Sequence, residues 1–187
     1  MTLYYMAALN VPNTLTVLRI CTIPIIVSML SSGRHMAALW LFVFASVTDI
    51  LDGLIARLAR QQTQLGRFLD PIADKLLLVT SYVVFAYYGW VPVWLTVGIL
   101  LRDLILVTAL ATFYLVYKFV FIRPSILGKT AIAMQMVLCA IVLLRLNYGS
   151  RVPDPLVFVW VTAGFTLVSA LHYLYIGLTY KRERPAR

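Results

Sequence analysis

The sequence predicts an all-α integral membrane protein, with six transmembrane helices behind a short interfacial segment at the N-terminus. Three observations predict it. Hydrophobic residues make up 62% of the 187 positions and charged residues only 12%, whereas a soluble domain of this size carries about 25% charged residues. Apolar spans recur along the chain, each near or above the roughly 20 residues that cross a bilayer. The breaks between spans hold turn formers: Gly33, then Gly89 to Pro92, then Val152 to Pro155. No internal repeat or low-complexity linker divides the chain, so residues 1–187 read as a single membrane domain.

Residues 1–12, MTLYYMAALNVP, are uncharged. Tyr4 and Tyr5 suit the headgroup layer, and either an interfacial segment or a disordered tail fits. The first span, 14–31, opens on N-T-L-T-V-L-R, where Thr14 or Asn13 can cap the helix. Arg19 follows Thr16 by about one turn inside an apolar run and needs a partner there. Further spans run at 36–59, 69–89, 91–117, 126–147 and 155–179. In the third, Pro71 suits a first helical turn, with Asp70 at or near the N-cap. Lys75 projects about 100° around the helix from Asp74 and need not pair with it. In the fourth, Arg102 adjoins Asp103. Either the two form a local ion pair in helix packing, or Arg102 faces a cavity and binds substrate phosphate. Lys129, near the start of the fifth, either binds an anionic headgroup or snorkels to the interface. Cys21 and Cys139 both lie in apolar runs and suggest neither a disulfide nor a zinc site.

The net charge is +9. The basic residues gather at span ends and not on a soluble face, which favours anionic lipid headgroups over nucleic acid. Ten lie on one side: Arg57, Arg60, Arg67, Lys118, Arg123, Lys129, Lys181, Arg182, Arg184 and Arg187. Three, Arg34, Arg145 and Arg151, lie on the other. The positive-inside rule then puts both termini and the loop after the second span in the cytoplasm. The segment before the first span lacks a basic region and a cleavage site, which argues against a signal peptide, and a bacterial plasma membrane is expected.

The acidic residues carry the chemistry. Of seven Asp and Glu, four are Asp49, Asp52, Asp70 and Asp74, within otherwise apolar runs. Spacings of three and of four put each pair on one helix face. Carboxylates in a membrane are costly and mark functional sites. All-oxygen ligation suits a hard cation, Mg²⁺ or Mn²⁺. Gly53 and Ala56 leave room for close approach, and Arg57 offers a fork of donors to phosphate oxygens.

The pattern D-x2-D-G-x2-A-R-x8-G-x3-D-x3-D is met without a gap by Asp49, Asp52, Gly53, Ala56, Arg57, Gly66, Asp70 and Asp74. It resembles the signature of the CDP-alcohol phosphatidyltransferases. That resemblance implies two divalent ions per site on Asp49, Asp52, Asp70 and Asp74, with Asp74 also the general base. It implies CDP-diacylglycerol held by Asn13, Thr16, Gly53, Ala56, Arg57, Thr63 and Gly66, CMP as product, a site open to the cytoplasm, and a homodimer. The candidate acceptor contacts are Lys75, Arg102 and Lys129. The N-x2-T-x2-R element of Asn13, Thr16 and Arg19 is similar to the start of phosphatidylglycerophosphate synthases and of CMP-forming cardiolipin synthases. The former usually carry R-E in the fourth span, an Arg eight residues later, and G-K-x-K-T in the fifth. Here stand Arg102-Asp103, Leu110, and Gly128-Lys129 followed by Thr130-Ala131-Ile132. The resemblance therefore favours phosphatidylglycerol as acceptor, with tails in a lipid-exposed groove, over glycerol 3-phosphate. An ion-coupled transporter also uses intramembrane carboxylates. The motif spacing, the placement of the cluster at the cytoplasmic end and the lack of a repeat argue against it.

Overall fold

The computed structural model describes residues 11–58, 64–117 and 125–179, with side chains over 18–48, 73–109 and 125–176. Among the described residues there are six long helices and no strand: α1 Val11–Ser31, α2 His35–Leu58, α3 Gln64–Tyr87, α4 Val93–Tyr117, α5 Ile126–Tyr148 and α6 Pro155–Thr179. A 3-10 turn, Gly149–Arg151, links α5 to α6.

The turns are where the sequence puts them, for a backbone reason. Gly33 and Gly89 adopt φ of 73° and 72°, conformations that side chains resist. Each ends its helix in the same way. The N–H of Arg34 donates to the Met29 carbonyl at 2.9 Å, and that of Trp90 to the Phe85 carbonyl at 2.8 Å. Those six-to-one bonds satisfy carbonyls that the helix end would strand.

Two helix starts differ from expectation. α1 is already helical at Val11, so Asn13 and Thr14 are residues of the helix and do not stand at a cap position ahead of it. Pro12, just ahead of them, costs no hydrogen bond in a first turn. α3 begins at Gln64, so Asp70 is well inside the helix and not at its N-cap. Pro71 falls past the first turn with it. Gln64, Leu65 and Arg67 are good helix formers and carry the helix ahead of the apolar span despite Gly66, and the N–H that Pro71 lacks does not end it. The interfacial segment expected at the N-terminus falls almost wholly outside the described residues, as do Thr63 and the basic C-terminal tail.

α1 packs on α2 and α3, α2 on α5, α3 on α4 and α5, and α6 on α4 and α5. The core draws Ile26 and Leu30 from α1, Leu39 and Phe42 from α2, and Leu77, Tyr82 and Phe85 from α3. Leu95 and Ile99 of α4 and Leu138, Val142 and Leu143 of α5 complete it.

The surface reverses the pattern of a water-soluble protein. Trp40, Leu104, Val157, Trp160 and Leu167 are exposed, whereas Arg19, Thr22, Ser81, Thr96, Arg102, Gln135, Thr162, Thr166 and Ser169 are buried. Apolar outside and polar inside is the arrangement that lipid selects. Ile126–Arg151 and Pro155–Ile176 are each long and apolar enough to cross a membrane. Buried polar groups join the helices: the Tyr82 hydroxyl donates to the Gln135 carbonyl at 3.0 Å, and the Gln135 amide to Thr166 Oγ1 at 3.4 Å. In lipid, where apolar surface alone does not favour association, such bonds contribute on the order of 0.6 kcal/mol each.

Candidate active site

The aspartate motif occupies two helices. Asp49, Asp52, Gly53, Ala56 and Arg57 are on α2, and Gly66, Asp70 and Asp74 are on α3. At 3.6 residues per turn each aspartate pair shares a helix face. α1, which carries Asn13, Thr16 and Arg19, packs against both helices. Of these candidates only Asp74 and Arg19 fall among the described side chains.

Those two meet. Arg19 Nη1 donates to Asp74 Oδ1 at 2.6 Å, across 55 residues of chain. The guanidinium is almost fully buried, and the carboxylate keeps 30% of its side chain exposed. The arginine that called for an intramembrane partner therefore has one of the four aspartates. A charge-assisted bond this short fixes the carboxylate's orientation and neutralises it in a low-dielectric setting. The Asp74 side chain is only partly buried.

One residue along α3, Lys75 faces elsewhere, as the helical angle requires. Its Nζ lies 3.3 Å from Asp103 Oδ1 on α4. The same oxygen accepts from Arg102 Nη1 at 2.8 Å. Arg102 is the largest fully buried side chain among the described residues. Its remaining donors reach Ser169 Oγ on α6, at 2.9 Å from Nη2 and 3.3 Å from Nε, and the Gly128 carbonyl on α5 at 3.4 Å. Its guanidinium carbon also lies 5.7 Å from the centroid of the Tyr173 ring. Arg102 thus joins three helices, the packing alternative raised by the sequence. Lys75, Leu76, Val79, Leu100, Asp103, Leu104 and Val107 line an open, largely apolar groove of about 360 Å³ between α3 and α4.

Lys129 stands apart from that network. It is exposed in the first turn of α5 and enters no ion pair among the described residues. The turn is capped by Ser125, whose Oγ accepts from the Gly128 N–H at 3.0 Å.

Ser169, Tyr173 and Ser125 were not singled out in the sequence, although a signal was there. Thr162, Thr166, Ser169 and Tyr173 recur at intervals of four, three and four along an otherwise apolar span. That is one helix face, and all four are buried.

A family model described as CDP-alcohol phosphatidyltransferase matches residues 9–172. The chain is 32% identical over 188 residues to the human "Cardiolipin synthase (CMP-forming)", covering 90% of this chain and 62% of the human protein. It is also 32% identical over 181 residues to the "CDP-diacylglycerol--glycerol-3-phosphate 3-phosphatidyltransferase" of Bacillus subtilis, covering 88% of this chain and 93% of that one. A Cereibacter sphaeroides protein of the same name is 39% identical over 142 residues, or 72% of this chain and 63% of the relative. The chain spans less than two thirds of the length of the human and rat proteins that it matches.

Proposed function

The chain belongs to the CDP-alcohol phosphatidyltransferase family, and from that premise we propose that it moves the phosphatidyl group of CDP-diacylglycerol to a glycerol-type alcohol, releasing CMP. The observation that carries this reading is the pairing of Arg19 with Asp74, which joins the start of the chain to the last carboxylate of the motif. In the proposed reaction the acceptor hydroxyl gives its proton to Asp74. Its oxygen attacks the β-phosphorus of CDP-diacylglycerol. The bond from that phosphorus to the bridging oxygen breaks, and CMP leaves with the electron pair. Arg19 orients the Asp74 carboxylate, and Gly53, Ala56, Arg57, Thr63 and Gly66, with Asn13 and Thr16, hold the nucleotide and pyrophosphate.

Asp49, Asp52, Asp70 and Asp74 fit hard divalent cations. The donors are all oxygens, and each pair lies within about one turn on its helix. Two Mg²⁺ or Mn²⁺ ions, when bound, would supply charge at the attacking and leaving oxygens.

We favour phosphatidylglycerol as the acceptor, which makes the product cardiolipin. Of the three candidate acceptor cations, Lys75 and Arg102 share the Asp103 carboxylate, and Lys129 alone is in no ion pair among the described residues. A single uncommitted cation suits the one charge of a phosphodiester better than the two of glycerol 3-phosphate. The relatives' names support either acceptor. The rest of the proposal is a single domain of six membrane-spanning helices, acting as a homodimer in a bacterial plasma membrane. Both termini and the site face the cytoplasm, in line with the excess of Lys and Arg there.

The test is CMP release by purified protein with CDP-diacylglycerol and Mg²⁺, offering phosphatidylglycerol and glycerol 3-phosphate separately. Release with phosphatidylglycerol alone supports the reading. Release with glycerol 3-phosphate alone replaces the acceptor, and silence with both removes the two alcohols together.

A further inference from the structure

We propose that Arg102, Ser169, Tyr173 and Gly128 form a positioning unit for the acceptor site: they clamp the first turn of α5 so that Lys129 is held toward the acceptor's phosphate group. The inference rests on the reading of Lys129 as the acceptor's cation and deepens it.

The first turn of α5 is held from two sides. From α4, Arg102 Nη2 donates to the Gly128 carbonyl at 3.4 Å and to Ser169 Oγ at 2.9 Å. From α6, the Tyr173 hydroxyl accepts from the Ser125 N–H at 3.4 Å. Arg102 and Tyr173 also hold one another, guanidinium to ring. Gly128 and Lys129 are adjacent, so whatever fixes the Gly128 peptide sets the origin of the Lys129 side chain. Every member of the clamp is buried, and Lys129 is exposed.

Glycine at 128 follows from this geometry. A Cβ there would overlap the Tyr173 hydroxyl and come within 3.2 Å of Tyr173 Cζ. The backbone at 128 is helical, so the need is for space and not for an unusual φ. Removing the Cβ lets the tyrosine reach the α5 cap. Substituting alanine forces the ring or the turn to move, while the motif aspartates stand on other helices. A lysine reaches its ligand through four rotatable carbons, so it needs a fixed base if it is to hold a phosphate in one place. Arg102 is then no acceptor ligand itself; it acts through Lys129.

The test compares KM for the acceptor with KM for CDP-diacylglycerol and with kcat, using full-length protein in mixed micelles and both phosphatidylglycerol and glycerol 3-phosphate. Lys129→Ala is expected to raise the acceptor KM about tenfold, with the other two constants within about twofold. Gly128→Ala is expected to show the same split at about five- to tenfold, through misplacement of Lys129. Tyr173→Phe, which keeps the ring and loses the hydroxyl, is expected to show it at about two- to threefold. The decisive variant is Gly128→Ala combined with Tyr173→Phe. Without the hydroxyl the overlap is gone and only tight contacts of 3.2 Å to Cζ and 3.3 Å to Ser125 Oγ remain, so the double variant is expected to have a lower acceptor KM than Gly128→Ala alone, a coupling that independent sites do not show. An acceptor KM unmoved by Gly128→Ala, a parallel rise in both KM values, or a double variant no better than the single overturns the clamp. An acceptor KM unmoved by Lys129→Ala overturns the Lys129 reading on which the clamp rests, whatever Gly128 does. The split in phosphatidylglycerol kinetics identifies the ligand as a phosphodiester, and in glycerol 3-phosphate kinetics as a phosphomonoester.

Discussion

Two buried arginines divide the molecule between them. Arg19 and Arg102 are both nearly inaccessible, both lie in apolar helices, and both bond an aspartate at hydrogen-bonding distance. Their partners differ. Arg19 reaches across to a carboxylate on another helix, and that carboxylate stays 30% exposed. Arg102 takes the carboxylate next to it in sequence, 13% exposed, and spends its other donors on Ser169 and Gly128. The first joins α1 to a motif carboxylate that is partly exposed, and the second joins α4 to α5 and α6. A buried ion pair is by itself no sign of a reacting site; in exposure the two carboxylates differ.

That contrast can be broken in order of expected effect. Asp74→Asn is expected to lower CMP release by about a thousandfold or more, because it removes the proposed general base. CDP-diacylglycerol binding should stay measurable, and retained turnover would rule out the base. Arg102→Ala is expected to cost about 3–5 kcal/mol, the usual loss when one partner of a buried pair is removed. The midpoint of thermal unfolding in detergent measures it. Arg19→Gln is expected to cost roughly 10- to 100-fold in turnover and to raise the Mg²⁺ concentration needed, as outer partners of ligating carboxylates do. A magnesium titration of CMP release reads this, and an unshifted titration would make Arg19 a residue of helix packing alone. The smallest effect is expected at Tyr82→Phe, away from both arginines. It loses one bond to the Gln135 carbonyl, worth about 0.6 kcal/mol between membrane helices, with kcat and both KM values unmoved.

Much of the fold was legible because membrane helices announce themselves locally. The positions of the helices, the glycine turns at 33 and 89, and the need of Arg19 for an aspartate all follow from residues close together in sequence or from the cost of a bare charge in lipid. The starts of α1 and α3 were less legible. Hydropathy reports where lipid begins, whereas Gln64 to Arg67 continue a helix beyond it. The aspartate motif stood out through its spacing, but the clamp around Arg102 did not. Ser169 is 67 residues from Arg102, and only the fold brings α4, α5 and α6 to one point. The hydroxyl stripe of α6 was a usable trace, since Thr162, Thr166, Ser169 and Tyr173 interrupt an apolar span with helical spacing.

The single oxygen of Asp103 that takes both Lys75 and Arg102 has a consequence for how this sequence can change over generations. Losing the acid alone strands two cations at once, so position 103 tolerates drift only after one of its two bases has become neutral. Substitutions there should be strongly epistatic. A neutral residue at 103 is expected to destabilise the protein less once Lys75 is replaced by methionine, because one stranded cation then remains in place of two. The viable paths then run through position 75 first, and the order of steps, more than their number, governs divergence at this interface.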